Sequence, residues 1–204
     1  MQRRPKPSPT DATHEDNWHG GFYELSIKLG AADDGRLNTA LLALWQAAAL
    51  PKPFRQNSDD EVEVSVQSLL AGHLHSVAAV PRLGSTLCTV LVVREEMYDS
   101  GNTRYGADWL DLCLPLGALA NLDERIGAYP FSEEAESRSW REPIERWFAT
   151  VASAVFQAVP FVHAVTGNEV SGVEALDVEE GLFGVFRPSA DGNLNIEPIR
   201  TWSW

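Results

Sequence analysis

A nine-residue pattern occurs twice in this chain. Phe22-Tyr23-Glu24-Leu25-Ser26-Ile27-Lys28-Leu29-Gly30 returns as Trp109-Leu110-Asp111-Leu112-Cys113-Leu114-Pro115-Leu116-Gly117. Both copies read aromatic, any, acid, Leu, any, aliphatic, any, Leu, Gly. Downstream, Asp34-Gly35-Arg36-Leu37 is echoed by Asp123-Glu124-Arg125-Ile126. Apolar residues at every second position match the two-residue period of a strand with one buried face. The repeat therefore asks for a fold that seats two similar strands. Two strand–helix halves, residues 20–98 and 107–204, related by a pseudo-twofold would do so. Chance is the rival explanation, because Leu-x-Leu ahead of glycine is a common string.

The strand pattern at Phe22–Leu29 puts Tyr23, Leu25, Ile27 and Leu29 on one face and Glu24, Ser26 and Lys28 on the other. Gly30 ends it. Asp33 or Asp34 then caps a helix carrying Leu37, Leu41, Leu44, Trp45 and Ala48 at helical spacing, stopped by Pro51 and Pro53. After a polar loop at Arg55–Asp60, Val62, Val64 and Val66 alternate with polar residues and predict a strand. Leu74–Val80 and Ser85–Val93 flank Pro81-Arg82-Leu83-Gly84, a hairpin turn with a proline entry and a glycine exit. Leu87–Val93 is apolar almost throughout, as a central strand covered on both faces would be. Tyr98–Gly106 reads as a polar loop.

The second copy, Trp109–Leu116, directs its four leucines to one side. Asp111, Cys113 and Pro115 take the other, and Pro115 sets the strand at an edge or marks where it frays. Beyond a loop at Ser132–Ser137, a long stripe of Trp140, Ile144, Trp147, Phe148, Val151, Val155 and Val159 predicts a helix lying across the sheet. Pro160 ends it, and Ser139 and Glu142 have the spacing of a capping box. Phe161–Thr166, Leu182–Arg187 and Asn193–Ile199 read as closing strands, the last two joined at Asp191-Gly192. The order β-α-β-β-β-β-α-β-β-β predicts an α+β fold with a mainly antiparallel sheet and two principal helices. Residues 1–19 lack periodicity and read as a flexible tail ahead of one domain spanning 20–204.

The net charge of −13 repels phosphate backbones, and no basic run exceeds Arg3-Arg4, so nucleic-acid binding is not expected. A basic protein partner suits the charge, as does plain solubility. The longest apolar stretch, Ala40 to Leu50, is interrupted by Gln46 and is too short to span a bilayer, and no apolar segment follows the basic N-terminus as in a secretory signal. Cys88 and Cys113 fall in apolar runs, where free cysteine behaves as a small hydrophobe in a reducing, cytoplasmic setting.

Three constellations could carry chemistry. His73 and His75 stand at i and i+2 on one strand face, a spacing that lets two imidazoles reach one zinc ion, with His163, Asp108 or Asp111 as a third ligand. The bland alternative is a polar strand face. Glu24 and Asp111 are equivalent acids in the repeat. Halves paired about a twofold would bring them together and raise one pKa, whereas strands ordinarily leave such charges on a solvated face. A nucleophilic Cys88 or Cys113 would need a base and an electropositive, accessible setting. Phosphate-binding glycine loops, the Gly-x-Ser-x-Gly elbow and the His-Glu-x-x-His helix are absent from the sequence.

Of the seven tryptophans, Trp45, Trp140 and Trp147 belong to helix stripes and the core. Trp18, Trp202 and Trp204 lie near the ends, where they either fold back or form a contact surface. Charge, size and motif content together predict a non-catalytic, acidic protein-binding module of the immunity or regulatory kind. A small metal-dependent hydrolase built on His73 and His75 is the alternative. Assembly into a homo-oligomer would bury outer strand faces or the terminal tryptophans.

Overall fold

The computed structural model describes residues 6–55, 62–99, 102–126, 135–174 and 184–197. Arg3, Arg4, Trp202, Trp204 and most of the loops expected at 55–60 and 132–137 fall outside them. The described residues form one seven-stranded sheet in which every neighbouring pair is antiparallel. The strands are β1 (Phe22–Ala31), β2 (Leu74–Val80), β3 (Gly84–Asp99), β4 (Asn102–Pro115), β5 (His163–Asn168), β6 (Gly184–Pro188) and β7 (Leu194–Glu197). Their spatial order is β2-β3-β4-β1-β5-β6-β7. Among the described residues four α-helices accompany them: α1 (Asp34–Ala47), α2 (Val66–Leu70), α3 (Leu116–Leu122) and α4 (Ala135–Ala158). This is the α+β, mainly antiparallel architecture the sequence predicts.

One sheet face and two helices make the core. Leu74, Val90, Leu112 and Leu25 lie in one row across the sheet, and Leu110, Ile27, Ala164 and Phe186 in the next, all buried. They pack with Leu37, Leu41 and Leu44 of α1 and with Trp140, Ile144, Phe148, Val151 and Val155 of α4. At about 1.5–3 kcal/mol per large side chain, the α4 stripe alone contributes on the order of 10 kcal/mol before entropy is subtracted. Tyr23 fixes this helix on β1: its hydroxyl donates to Glu145 Oε1 (2.7 Å), and its ring meets Trp140 edge-on and stacks on Phe148. Trp147 is buried as expected. Asp33 caps α1, accepting from the Arg36 N–H at 2.8 Å.

Several expectations are corrected. Val62–Val66 is not a strand: Ser65 caps α2, its hydroxyl accepting from the Ser68 N–H (3.2 Å), and Val66 and Leu69 are buried at helical spacing. The cap outweighs an alternation only three valines long. Ser139 lies inside α4, so it forms no capping box, and Pro143 sits within the same helix. Tyr98–Gly106 is no long loop. β3 and β4 run on as a two-stranded ribbon to Asp99 opposite Asn102, and a ribbon clear of the core needs no apolar face.

β4 is central, flanked by β3 and β1, and it ends at Pro115. Pro115 therefore terminates the strand rather than marking a sheet edge, and Leu116 opens α3 instead of completing the strand. The Leu87 N–H of β3, past the last β3–β4 pair of Thr89 with Cys113, donates to the Pro9 carbonyl (3.0 Å) instead. Residues 6–19, read from sequence as a tail, make further specific contacts of this kind. Asn17 is buried, its side-chain amide donating to Ser8 and Asp11 carbonyls at 2.8 Å each, and Trp18 Nε1 donates to the Ala12 carbonyl (2.9 Å).

The two copies of the repeat agree as strands and diverge at their ends. β1 and β4 are neighbours, and Leu25 pairs with Leu112, its own counterpart. Gly30 has φ +100° where the register shifts along β1, a bulge position that favours glycine. Gly117 is helical, and a Cβ there would stand 2.0 Å from the Asp16 carbonyl oxygen. Asp34 opens α1, whereas Asp123 follows the end of α3. Outside this pair the connections differ, since β3 reaches β4 by a hairpin and β5 reaches β1 after α4.

Candidate functional site

The second face of the sheet is polar at its centre and largely covered. Residues paired across an antiparallel ladder share a face, so the register defines three rows. The first is His75, Thr89, Cys113, Glu24 and Gly167. The second is Leu91, Asp111, Ser26, Val165 and Val185, and the third is Val93, Trp109, Lys28 and His163. Glu24 is 4% exposed and Asp111 0%. The expectation that these acids lie on a solvated strand face is thus overturned. β1 and β4 are inner strands, and the segment 169–174, which follows β5, crosses over them.

Ser171 joins the two acids. Its backbone N–H donates to Glu24 Oε2 (2.9 Å), and its hydroxyl donates to Asp111 Oδ2 (2.5 Å). Ser26 donates to the other Asp111 oxygen, Oδ1, at 2.5 Å. The Cys113 thiol, directly opposite Glu24, hydrogen-bonds to that carboxylate. Glu169 holds the start of the segment against β1, its N–H donating to the Phe22 carbonyl (3.0 Å) and its Oε1 accepting from the Phe22 N–H (2.8 Å). At the far end Glu174 pairs with Lys28, whose ammonium lies 5.1 Å from the centre of the Trp109 ring.

Burial sets the electrostatics. It raises Glu24 from 4.5 to about 7, with the Asp111 charge adding to the effect and the Ser171 N–H and Cys113 opposing it. Burial likewise raises Asp111 from 3.8 to about 6, against the pull of the Ser171 and Ser26 hydroxyls. The pair therefore holds a proton into the neutral range, as a carboxyl group in a water-poor setting does. Cys113 is pushed far up by burial and by the Glu24 and Asp111 charges, so it stays a thiol. Cys88, buried on the core side, is pushed up to about 12. Neither cysteine has the electropositive surroundings that make a nucleophile.

The histidines do not converge. His75 lies on β2 and His163 on β5, four strand spacings apart, about 19 Å at the usual inter-strand distance. His73 and His75 are neighbours with ring centres 6.2 Å apart, but His75 is buried, with Nδ1 bonded to Thr89 Oγ1 (2.9 Å) and the Trp18 ring edge-on at 4.9 Å. Burial lowers its pKa to about 4. Asp108 is taken by Arg94, whose Nε donates to Oδ1 (2.6 Å), and by the Asp33 N–H at the start of α1 (3.1 Å). Among the described residues no group of three or more His, Cys, Asp or Glu is arranged to hold a metal ion.

The structure thus unites three of the candidate residues, Glu24, Asp111 and Cys113, places a fourth, His163, beside Trp109 and Glu174, and adds Ser26, Ser171, Lys28, Trp109 and Glu174, which sequence reasoning did not single out. Ser26 was legible as the residue facing Asp111 once β1 and β4 are placed side by side. Ser171 carries no sequence signal, because its role depends on where the chain turns after β5. No family model, curated protein or solved structure matches this chain.

Proposed function

We propose that the protein is a non-catalytic, acidic module that binds another protein, of the immunity or regulatory kind, and that its partner is basic. The observation that carries this reading is the net charge of −13. Asp16, Asp34, Glu63, Glu96, Glu124 and Glu142 are exposed and contribute to it at the surface. A field of that sign speeds encounter with a positively charged partner and makes the association sensitive to salt. The acids drawn inward support the same reading from the other side. Glu24 and Asp111 bind the chain's own Ser171, and Asp108 binds Arg94 and the start of α1, so these groups are engaged within the chain.

The test is a binding titration against the product of the adjacent gene, or against a protein that copurifies with the full chain. Raising salt from about 50 to about 300 mM is expected to weaken the complex at least roughly tenfold, mainly by slowing association. Affinity that is indifferent to salt contradicts an electrostatic partner. Among the described residues no helix is long and apolar enough to cross a membrane.

A further inference from the structure

We propose that the Glu24–Asp111 carboxyl pair is a proton-dependent latch for the strap 171–174. With a proton on the pair the strap lies closed over the sheet. With both acids ionised it lifts and uncovers Lys28, Trp109 and His163. This inference goes beyond the binding reading and does not depend on it.

The geometry of Ser171 carries the inference. It is itself exposed, yet its amide and hydroxyl bridge two carboxylates that are buried beneath it. The acids are therefore one residue away from water, and lifting that residue hydrates both. Val170, fully buried, fixes one end of the strap, and Glu169 ties the same end to Phe22. Gly172, at φ +72°, is the flexible link just beyond Ser171, and a side chain added there would meet nothing within 4 Å. At the other end stand a hydrogen bond between His163 and the Val173 backbone and the Lys28–Glu174 pair, with Glu174 45% exposed, the latter a contact of modest strength in water.

The groups around the pair do not neutralise it. β1 contributes Glu24 and, four residues on, Lys28, which Glu174 already engages. β4 contributes Asp111 and the un-ionised Cys113 thiol. β3 offers Thr89, with the neutral His75 beyond it on β2. β5 offers His163, whose buried Nε2 has no hydrogen-bond partner and lies 3.9 Å from Glu174 Oε2, and Arg187 of β6 acts on that histidine. The strap itself adds a further negative charge at Glu169 that acts on Glu24. Closing the strap removes water from two acids of like charge. The two Ser171 donors pull the other way, but loss of water is the larger effect on both acids, so closing raises their affinity for protons, and by linkage a proton favours the closed strap.

The test is amide hydrogen exchange of the full chain by NMR, each rate divided by its intrinsic chemical rate. The Ser171 amide, which donates to Glu24, is expected to lose protection at least tenfold between about pH 5.5 and about pH 8.5, while Leu112 and Ile27 in the central ladder hold theirs. In Glu24→Gln, which keeps the shape without the charge, strap protection should be the same at both pH values. Asp111→Asn should behave likewise and serves if the first variant folds poorly. Equal protection of the wild-type strap at both pH values overturns the proposal. So does a pH response that survives in both variants, or a loss in which the ladder amides join.

Discussion

Leu25 stands directly opposite Leu112 in the ladder between β1 and β4. These residues are counterparts in the repeated pattern, so the acids one position away are brought close on the opposite face. Glu24 pairs with Cys113, and Asp111 pairs with Ser26. The diagonal between them is short enough for a single serine to touch both acids. A register one residue different would have turned every one of these side chains to the other face.

The first consequence concerns stability and pH. Glu24 and Asp111 both titrate above their ordinary values in the folded chain, at about 7 against 4.5 and about 6 against 3.8. A raised value means that their contribution is fully present below about pH 4 and is lost as pH rises through about 6 to 7. At about 1.4 kcal/mol per tenfold change in proton affinity, Glu24 alone makes a difference of about 3 kcal/mol. Urea unfolding of Glu24→Gln is expected to show higher stability than wild type at about pH 8.5, by about 1–3 kcal/mol, with the gap closing at about pH 5. A variant less stable than wild type at the higher pH contradicts this.

Removing Asp108 is expected to destabilise the chain. Its carboxylate, 1% exposed, receives Arg94 and the Asp33 N–H. Asp108→Ala takes from Arg94 its buried partner, leaving it the exposed Asp34 (2.8 Å), and loosens the start of α1. The expected cost is about 3 kcal/mol, read from the urea midpoint.

Gly117 should tolerate no side chain. A Cβ there meets the Asp16 carbonyl oxygen at 2.0 Å, and its N–H donates to the His19 carbonyl (2.9 Å). Gly117→Ala is expected to push residues 14–19 off α3 and to change the fluorescence of Trp18, which rests on His75. The expected loss is about 1–3 kcal/mol. Unchanged fluorescence and stability would show that the segment does not pack as described.

Both thiols should resist alkylation in the folded chain at about pH 6, where the strap is closed, because burial and, for Cys113, two neighbouring carboxylates keep them protonated. Labelling should appear only with unfolding, at matching rates for the two. Fast, selective modification of Cys113 would mean that its side of the sheet is open.

The amphipathic elements were legible in the sequence because their signals are local. The Trp140–Val159 stripe, the Asp33 cap and the Pro81–Gly84 turn each depend on residues within a few positions, and they fold as expected. Where two local signals competed, the stronger won, as when Ser65 made a helix of Val66–Leu70. The site was half legible. The repeat pointed to Glu24 and Asp111 together, but alternation alone favoured a solvated face for both. Burial there depends on residues 169–174 folding back across β1 and β4, a contact between positions 60 and 147 residues apart. No pattern in either segment encodes it.

Carbon-detected NMR titration of the side-chain carboxyl groups tests the central claim most directly. Glu24 is expected to titrate near 7 and Asp111 near 6 in the folded chain. Midpoints close to 4.5 and 3.8 would mean that water reaches both acids, and the covered polar face described here would not exist.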